Sequence, residues 1–434
     1  MKIVLLNGFG LSSNVGDHAL LTSTVSVLAS QFPSARIDVV PWQEPTPEMS
    51  KNFERQLPFR GDVELARPVL PAYSTGVGFP EATALNKARV LSWTAAVNVK
   101  AELHGRMPFL APAQSPLRLV RDSDLVVLRG CNIVQRGSDL RSIAGLRRLT
   151  FPLWLARRAR KPTVLLNISL GPVEHPMAKR MVKRAIDGAD FVATREPATQ
   201  EYLATFTHCR TVSSADTAFA FPTPVTLQNT RNPVLVGLNL LSKGEYLAAL
   251  QGSSDMYYAL LKKLADELNR LAESVPTVKI LAIPHEMDAA QLNSDLHSLN
   301  WLLAKLAHPE RVELAKDAHS PADVIRLYSR CSLAIGMRFH GYVLASLAGT
   351  PVLGIDLKSQ KTTGVARSLG IADRMIDLTQ PGQLAARVKT SLSEANELQA
   401  SVTEKARKLR SLVISTFATY AQASGLNALS LVSQ

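Results

Sequence analysis

The stretch Cys331-Ser-Leu-Ala-Ile-Gly336-Met-Arg338-Phe-His340-Gly-Tyr-Val-Leu-Ala-Ser-Leu-Ala348-Gly-Thr-Pro351-Val-Leu-Gly-Ile355 carries the reading of the fold. A short apolar run ends at Gly336. An Ala-rich apolar segment follows as far as Ala348, where Gly349 and Pro351 give a stop signal. A second apolar run, Val352 to Ile355, comes at once. This is strand, helix, strand, the βαβ unit of an open parallel sheet. In such sheets ligands bind beyond the carboxyl ends of the strands. A helix start there offers N–H groups with no partner inside the helix, and a partial positive charge. Arg338 and His340 stand at that point, and Lys358 stands just past the next strand. Gly336, Arg338, His340 and Lys358 therefore predict a site for an anion, a phosphate or a carboxylate. The alternative is a surface arginine beside a core histidine.

The same rhythm extends in both directions. Apolar runs at Ile3–Leu6, Ile37–Val40, Leu125–Leu128, Val164–Ile168 and Phe191–Ala193 form one set. Val234–Leu238, Val278–Ile283, Val312–Leu314, Leu333–Ile335 and Val352–Ile355 form another. Continuous rather than alternating apolar runs suit parallel strands buried on both faces. Helices are predicted between them, at 18–31, 177–187, 196–204, 255–274, 289–307, 321–330 and 339–348. The Pro-, Thr- and Asn-rich segment Phe221–Pro233 separates the two sets. The expected organisation is an N-terminal α/β domain over 1–225, a C-terminal one over 226–390, and C-terminal helices over 391–434. The last part is read as one long helix over 391–413 and then a second. Residues 42–116 read as an irregular, Pro-containing insertion with a helix near 82–104.

Bulk properties narrow the class. A chain of 434 residues with 46 % apolar and 20 % charged residues has the composition of a globular protein. No apolar run approaches the roughly 18 residues of a membrane span. The start, Met-Lys-Ile-Val-Leu-Leu-Asn-Gly, reads as a first strand rather than a signal peptide, and a cytoplasmic location is expected. Cys131, Cys209 and Cys331 lack metal-ligand spacing and are read as reduced thiols; no metal site is expected.

The net charge of +13 is unevenly distributed. Between positions 118 and 161 lie Arg118, Arg121, Arg129, Arg136, Arg141, Arg147, Arg148, Arg157, Arg158, Arg160 and Lys161, against Asp122, Asp124 and Asp139. With Trp154 and several leucines interleaved, this segment is either a basic surface for an anionic membrane leaflet or a core-facing helix with solvated arginines. An aromatic content of 6 % and the absence of a zinc-finger, helix-turn-helix or RNA-binding pattern argue against nucleic acid.

Further motifs fall at strand ends. Asn7-Gly-Phe-Gly10-Leu-Ser-Ser-Asn14-Val-Gly16-Asp17 follows the first strand and opens the first helix. Gly8, Gly10 and Gly16 permit close approach to a ligand, and Asp17 is either a first-turn cap or a functional carboxylate. The glycine spacing is not that of a dinucleotide site. Asn167 and Ser169, in Asn167-Ile-Ser-Leu-Gly-Pro172, mark the end of another strand. Arg195-Glu196 and Asp216 are charged residues at apolar runs, each readable as part of a structural ion pair. His285, in Ile283-Pro-His-Glu-Met-Asp288, is a proton donor, a ligand contact or a satisfied core histidine.

In this order, the pieces Asn14-Val-Gly-Asp17-His-Ala-Leu, Ser169-Leu-Gly-Pro172, Arg195-Glu196, Asp216-Thr-Ala-Phe219, the Asp288 segment and Met337-Arg-Phe-His340 with Gly349-Thr-Pro351 and Lys358 resemble the polysaccharide pyruvyl transferases over about residues 1–375. The resemblance implies two Rossmann-like domains facing a cleft, as in the GT-B glycosyltransferases, with mostly parallel sheets. It implies transfer of the enolpyruvyl unit of phosphoenolpyruvate to a sugar of a surface polysaccharide or its lipid-linked precursor, usually closing a pyruvate ketal. On that basis His340 and Asp17 are the expected acid and base, in either assignment, and Arg338, Lys358, Gly336 and His285 are expected on the phosphoenolpyruvate. Asn14, Gly16, Asn167, Ser169, Arg195 and Arg129 are expected on the acceptor or cleft side. Loss of His340 or Arg338 to Ala is expected to abolish transfer with the fold intact.

No cofactor or metal is expected; phosphoenolpyruvate is a co-substrate. One departure stands out: the family's Gly-rich turn after the third strand is here Arg129-Gly130-Cys131-Asn132, which keeps one glycine. A nucleotide-sugar glycosyltransferase and a non-catalytic polyanion-binding module are the alternatives.

Overall fold

The computed structural model describes residues 1–6, 14–41, 45–57, 62–69, 92, 95–96, 99–100, 102–103, 105–107, 115–130, 140–222, 232–250, 252–287, 294–357, 360–423 and 425–426. Gly8, Gly10, Cys131, Asn132, Asp288 and Lys358 lie outside them, as does most of the helix expected over 82–104.

The chain divides into two compact units. The first comprises residues 1–11, 24–217 and 413–434, and the second residues 12–23 and 218–412. The first holds β1 (Lys2–Leu6), β2 (Arg36–Val40), β3 (Val63–Leu65), β4 (Leu125–Leu128), β5 (Thr163–Ile168), β6 (Phe191–Thr194) and β7 (Thr211–Ser213). They form one sheet in the order β3-β2-β1-β4-β5-β6-β7, every pair parallel. The second holds β8 (Asn232–Asn239), β9 (Lys279–Ala282), β10 (Val312–Leu314), β11 (Cys331–Gly336), β12 (Val352–Ile355) and β13 (Met375–Ile376), in the order β10-β9-β8-β11-β12-β13, again all parallel. Both are doubly wound Rossmann-like sheets. The chain reverses its direction of winding between β1 and β4, and between β8 and β11, and that reversal opens the crevice where such sheets bind ligands.

The central strands form because their residues tolerate burial on both faces. Every residue of β4, β5, β11 and β12 is buried. The edges are shorter and wetter: β3 and β10 are half-buried with an exposed central Glu, and β7 is likewise exposed in part. That is why β3, β7 and β13 carry no apolar run by which sequence reading finds them.

The described helices of the first part are α1 (Val15–Gln31), α2 (Pro47–Gln56), α3 (Pro116–Arg121), α4 (Leu140–Arg158), α5 (Pro176–Ile186) and α6 (Pro197–Ala204). Those that follow are α7 (Lys243–Leu250), α8 (Ser254–Ser274), α9 (Asp295–Leu303), α10 (Pro321–Ser329), α11 (Phe339–Leu347), α12 (Gln360–Leu369), α13 (Gln383–Ser393) and α14 (Ala395–Ala423). Their starts are chemically marked. Ser253, Ser294 and Ser320 cap α8, α9 and α10, and Pro occupies the first turn of α3, α5, α6 and α10, where its missing N–H costs nothing.

Three expectations are corrected here. In the described part of the segment read as helix over 289–307, the helix runs from Asp295, after the Ser294 cap, and stops at Leu303 rather than 307. The C-terminal pair is not 391–413 and a second helix. A short α13 ends at Ser393, and a single helix runs from Ala395 to Ala423, with no Gly or Pro inside to break it. Residues 12–23, placed by sequence in the N-terminal domain, group with the second unit.

The basic segment resolves toward core packing. In α4, Leu146, Leu149, Phe151, Leu153 and Leu155 are buried among Val126, Leu128 and Leu165. Trp154 stacks on Phe151 at 5.3 Å, and Arg158 lies over the Trp154 ring. The apolar face is therefore core, while Arg157, Arg158 and Arg160 are exposed. No described helix is long and apolar enough to cross a membrane.

Candidate active site

The second unit assembles its site at the β8/β11 switch point. Asn239, the last residue of β8, is fully buried. Its Oδ1 accepts from the backbone N–H of Met337 (3.2 Å) and Arg338 (2.9 Å), which fixes the orientation of the amide. The Nδ2 then donates to Tyr328 Oη at 2.8 Å. A Cβ on Gly341 would fall 2.3 Å from Asn239 Nδ2, so only glycine leaves room for this arrangement in the first turn of α11. Asn239 thus ties the end of β8 to the β11–α11 turn.

Arg338 is the N-cap residue of α11 and is 5 % exposed. Its Nε donates to the Leu240 carbonyl (2.9 Å) and to Asp295 Oδ1 (3.1 Å), and its Nη2 also donates to Asp295. Its Nη1 pairs with Glu245 Oε2 at 2.6 Å. Burial disfavours the guanidinium charge, but the two carboxylates outweigh that and hold it charged. Burial pushes the Asp295 carboxyl up to about 6, against the pull of Arg338. Arg338, expected on the phosphoenolpyruvate, serves two carboxylates within the protein. Lys358, its expected companion, lies outside the described residues.

Asp295 also organises the β9 end. Its Oδ2 accepts from the backbone N–H of His285 (2.8 Å) and Glu286 (3.2 Å). His285 is buried, and its Nε2 lies 3.1 Å from Tyr328 Oη. Burial, then the positive charges of Arg338 and His340, drive its pKa well below the ordinary histidine value. Its carbonyl accepts from Val15 N–H at 2.9 Å, which anchors the start of α1.

That anchor brings the Asn14–Asp17 segment into the second unit's site. Asn14 Oδ1 accepts from Gly16 N–H at 2.9 Å, and its Nδ2 reaches Glu245 at 3.4 Å. Gly16 packs against His340, the second residue of α11: a Cβ there would lie 2.1 Å from Nδ1 and 2.5 Å from Cγ. Asp17 sits half-buried in the first turn of α1, a favourable place for a carboxylate. Asn14 and Gly16 therefore group with Arg338 and His340, and Asp17 follows them in the first turn of α1. Gly336, at the end of β11, is needed because a Cβ would meet the Tyr342 ring at 2.5 Å.

The remaining expected residues gather in the first unit, at the ends of β4, β5 and β6. Arg129 is buried, its N–H donating to the Leu6 carbonyl across that sheet's own switch point at 3.1 Å. Gly130 is retained for a reason: a Cβ would lie 2.8 Å from the Asn167 carbonyl oxygen. Asn167 has φ of 52°, a left-handed conformation that Asn tolerates better than most, and its Nδ2 donates to Thr217 Oγ1 at 3.1 Å. Ser169 donates to Glu196, and Arg195 bridges Glu196 (3.0 Å) and Asp216 (3.0 Å) in a buried network. Arg195 and Asp216 form an ion pair with each other.

Sequence reading missed Asn239, Tyr328, Glu245 and Asp295. Asn239 had a readable signal, a lone polar residue ending an apolar strand, much as Asn167 stands one residue before the end of β5. The other three are joined to the site only by tertiary contact. Among the described residues, no group of three His, Cys, Asp or Glu side chains is placed to hold a metal ion.

Two Rossmann-like units, each with its switch point lined by polar side chains, define the GT-B-like class of fold. The sequence profile of the polysaccharide pyruvyl transferases matches residues 14–359, and the chain belongs to that family. Among solved structures it is similar to Anabaena HepE, in complex with UDP (14 % identity, 98 % of this chain and 100 % of that one, TM-score 0.56). It is also similar to sucrose-phosphate synthase from Thermosynechococcus elongatus (12 %, 100 % and 99 %, 0.54). A third is UDP-GlcNAc 2-epimerase from Neisseria meningitidis bound to UDP-GlcNAc (11 %, 97 % and 100 %, 0.54). At these identities the likeness is one of fold. No curated protein sequence matches the chain.

Proposed function

We propose that this transferase takes the enolpyruvyl unit of phosphoenolpyruvate and builds a pyruvate ketal on a sugar of a surface polysaccharide or its lipid-linked precursor. The observation that carries the reading is the seat of His340: a half-buried imidazole in the first turn of α11, backed by Gly16, at the switch point of the second sheet. The donor's phosphate and carboxylate suit the N-terminal end of α11. Protonation of its methylene carbon gives a methyl group and an oxocarbenium-like C2. A sugar hydroxyl attacks C2 and loses its proton. Phosphate then leaves, and a second hydroxyl of the same sugar closes the ketal, with its proton balancing the phosphate. His340 supplies the first proton and Asp17 accepts one, or the two exchange roles. Gly16 covers the Nδ1 side of His340, which leaves Nε2 as the edge turned away from that backing.

Arg338 acts here by holding Asp295 and Glu245, and through them the β9 end and Asn14. The first unit's polar strand ends, Arg129, Asn167, Ser169 and Arg195, are assigned to the acceptor. Exposed arginines on α4 and α5 suit an anionic leaflet bearing a lipid-linked acceptor. Phosphate release from phosphoenolpyruvate in the presence of acceptor tests the reading. His340→Ala is expected to lower the rate by about 10²-fold or more, and full activity of that variant would refute it.

A further inference from the structure

One buried group in this site has no use in the steps above: the Nδ1 atom of His285. It is fully buried and meets no hydrogen-bonding partner among the described residues. The chain of bonds behind the ring decides what it carries. Asn239 Oδ1 is occupied by two backbone N–H groups, so Nδ2 faces Tyr328 and donates to its oxygen. The phenolic proton then points to the other neighbour of that oxygen, His285 Nε2 at 3.1 Å. A ring nitrogen that accepts bears no proton. In the neutral ring the hydrogen must sit on Nδ1. Neutrality follows from burial and from the nearby charges of Arg338 and His340. Burial also raises the Tyr328 hydroxyl pKa, so it keeps its proton to donate.

We infer that Asn239 and Tyr328 lock His285 as its Nδ1–H tautomer, and that this N–H donates to an oxygen of the anion bound at the start of α11. A buried donor left unsatisfied costs about 1–3 kcal/mol, and a ligand oxygen relieves it. The backbone frames this position from both sides: the His285 carbonyl holds Val15, next to the Gly16 that seats His340, and Asp295 holds the His285 N–H and Arg338. A neutral imidazole suits the task, because its donor stays in place without adding a further positive charge beside Arg338. His285 is thereby a binding residue, and Asn239 and Tyr328 are positioning residues. The identity of the anion rests on the function proposed above; the tautomer does not.

The test uses the full chain with ¹⁵N-labelled histidine and long-range ¹H–¹⁵N correlation, with His285 assigned from the signal lost in His285→Gln. In the free protein His285 is expected to show a protonated Nδ1, a bare Nε2, and no titration in the ordinary histidine range. Tyr328→Phe, a change of one oxygen, is expected to give a tautomer mixture. An Nε2–H form in the wild type, or titration near the ordinary value, overturns the lock. Phosphoenolpyruvate and inorganic phosphate are then added separately. Each is expected to shift the Nδ1 resonance, and phosphoenolpyruvate is expected to bind Tyr328→Phe about tenfold more weakly, the worth of one hydrogen bond. If phosphoenolpyruvate binds the wild type and Nδ1 does not move, the donor assignment is wrong. If inorganic phosphate alone moves it, the donor assignment stands and the phosphoenolpyruvate reading falls. If neither anion binds, both the donor assignment and that reading fall, and the tautomer is judged on the free protein alone.

Discussion

Replacing Gly16 with Ala separates activity from stability. The added methyl would lie 2.1 Å from His340 Nδ1, 2.5 Å from Cγ and 2.8 Å from Cβ, where ordinary contact begins at 3.4 Å. The nearest atom must retreat by 3.4 minus 2.1, about 1.3 Å. The ring cannot simply swing its tip aside, because its own Cβ and Cγ are in the way. Either the His340 rotamer changes or the start of α1 lifts from α11. Overpacking of this kind costs about 1–3 kcal/mol, and Ala in place of Gly inside a helix returns up to about 1 kcal/mol. The net loss of stability is therefore expected to stay within about 2 kcal/mol. Misplacing a reacting group by about 1 Å costs about 10²-fold in rate. Gly16→Ala is expected to melt within several degrees of the wild type and to lose about 10²-fold in kcat for phosphate release. A variant with full kcat and an unchanged melting temperature would refute the seating of His340 by Gly16.

Other perturbations probe the framework. Arg338→Ala leaves the buried Asp295 and the half-buried Glu245 without their cation and is expected to cost about 3–5 kcal/mol in urea unfolding; a loss under 1 kcal/mol would contradict the weight given to the buried Arg338–Asp295 pair. Burial pushes the Asp295 carboxyl up to about 6 from 3.8, so on acidification the folded state takes up this proton before the unfolded chain does. Its contribution favours folding at pH 4 and fades as pH rises to 6, so the wild type should lose about 2 kcal/mol across that window relative to Asp295→Asn; a pH-independent difference would count against it. The exposed Arg157, Arg158, Arg180 and Arg184 predict flotation with anionic but not zwitterionic vesicles, lost when Arg180 and Arg184 become Glu. Equal recovery with both lipids would end that idea.

The parallel sheets were legible because buried strands leave continuous apolar runs, as Leu125–Leu128 and Val352–Ile355 do. The edges were not, since Val63–Leu65 and Thr211–Ser213 are half-exposed and carry no such run. The site was legible where chemistry coincides with a strand end, as at His340, His285 and Asn167. It was illegible where a role depends on a distant partner. Arg338 looks like a cation waiting for an anion until Asp295 and Glu245 are placed beside it. Gly16 looks like a loop glycine until His340 is found where its side chain would be. The membership of Asn14–Asp17 in the second unit rests on Val15 bonding to the His285 carbonyl, a contact no local pattern announces.

The decisive measurement is mass spectrometry of candidate lipid-linked or free oligosaccharides incubated with the purified protein and phosphoenolpyruvate. The expected product is heavier by one pyruvate less one water, formed with stoichiometric phosphate and absent with His340→Ala. Transfer from a nucleotide sugar with phosphoenolpyruvate left untouched, or an unaltered acceptor in every case, would contradict it.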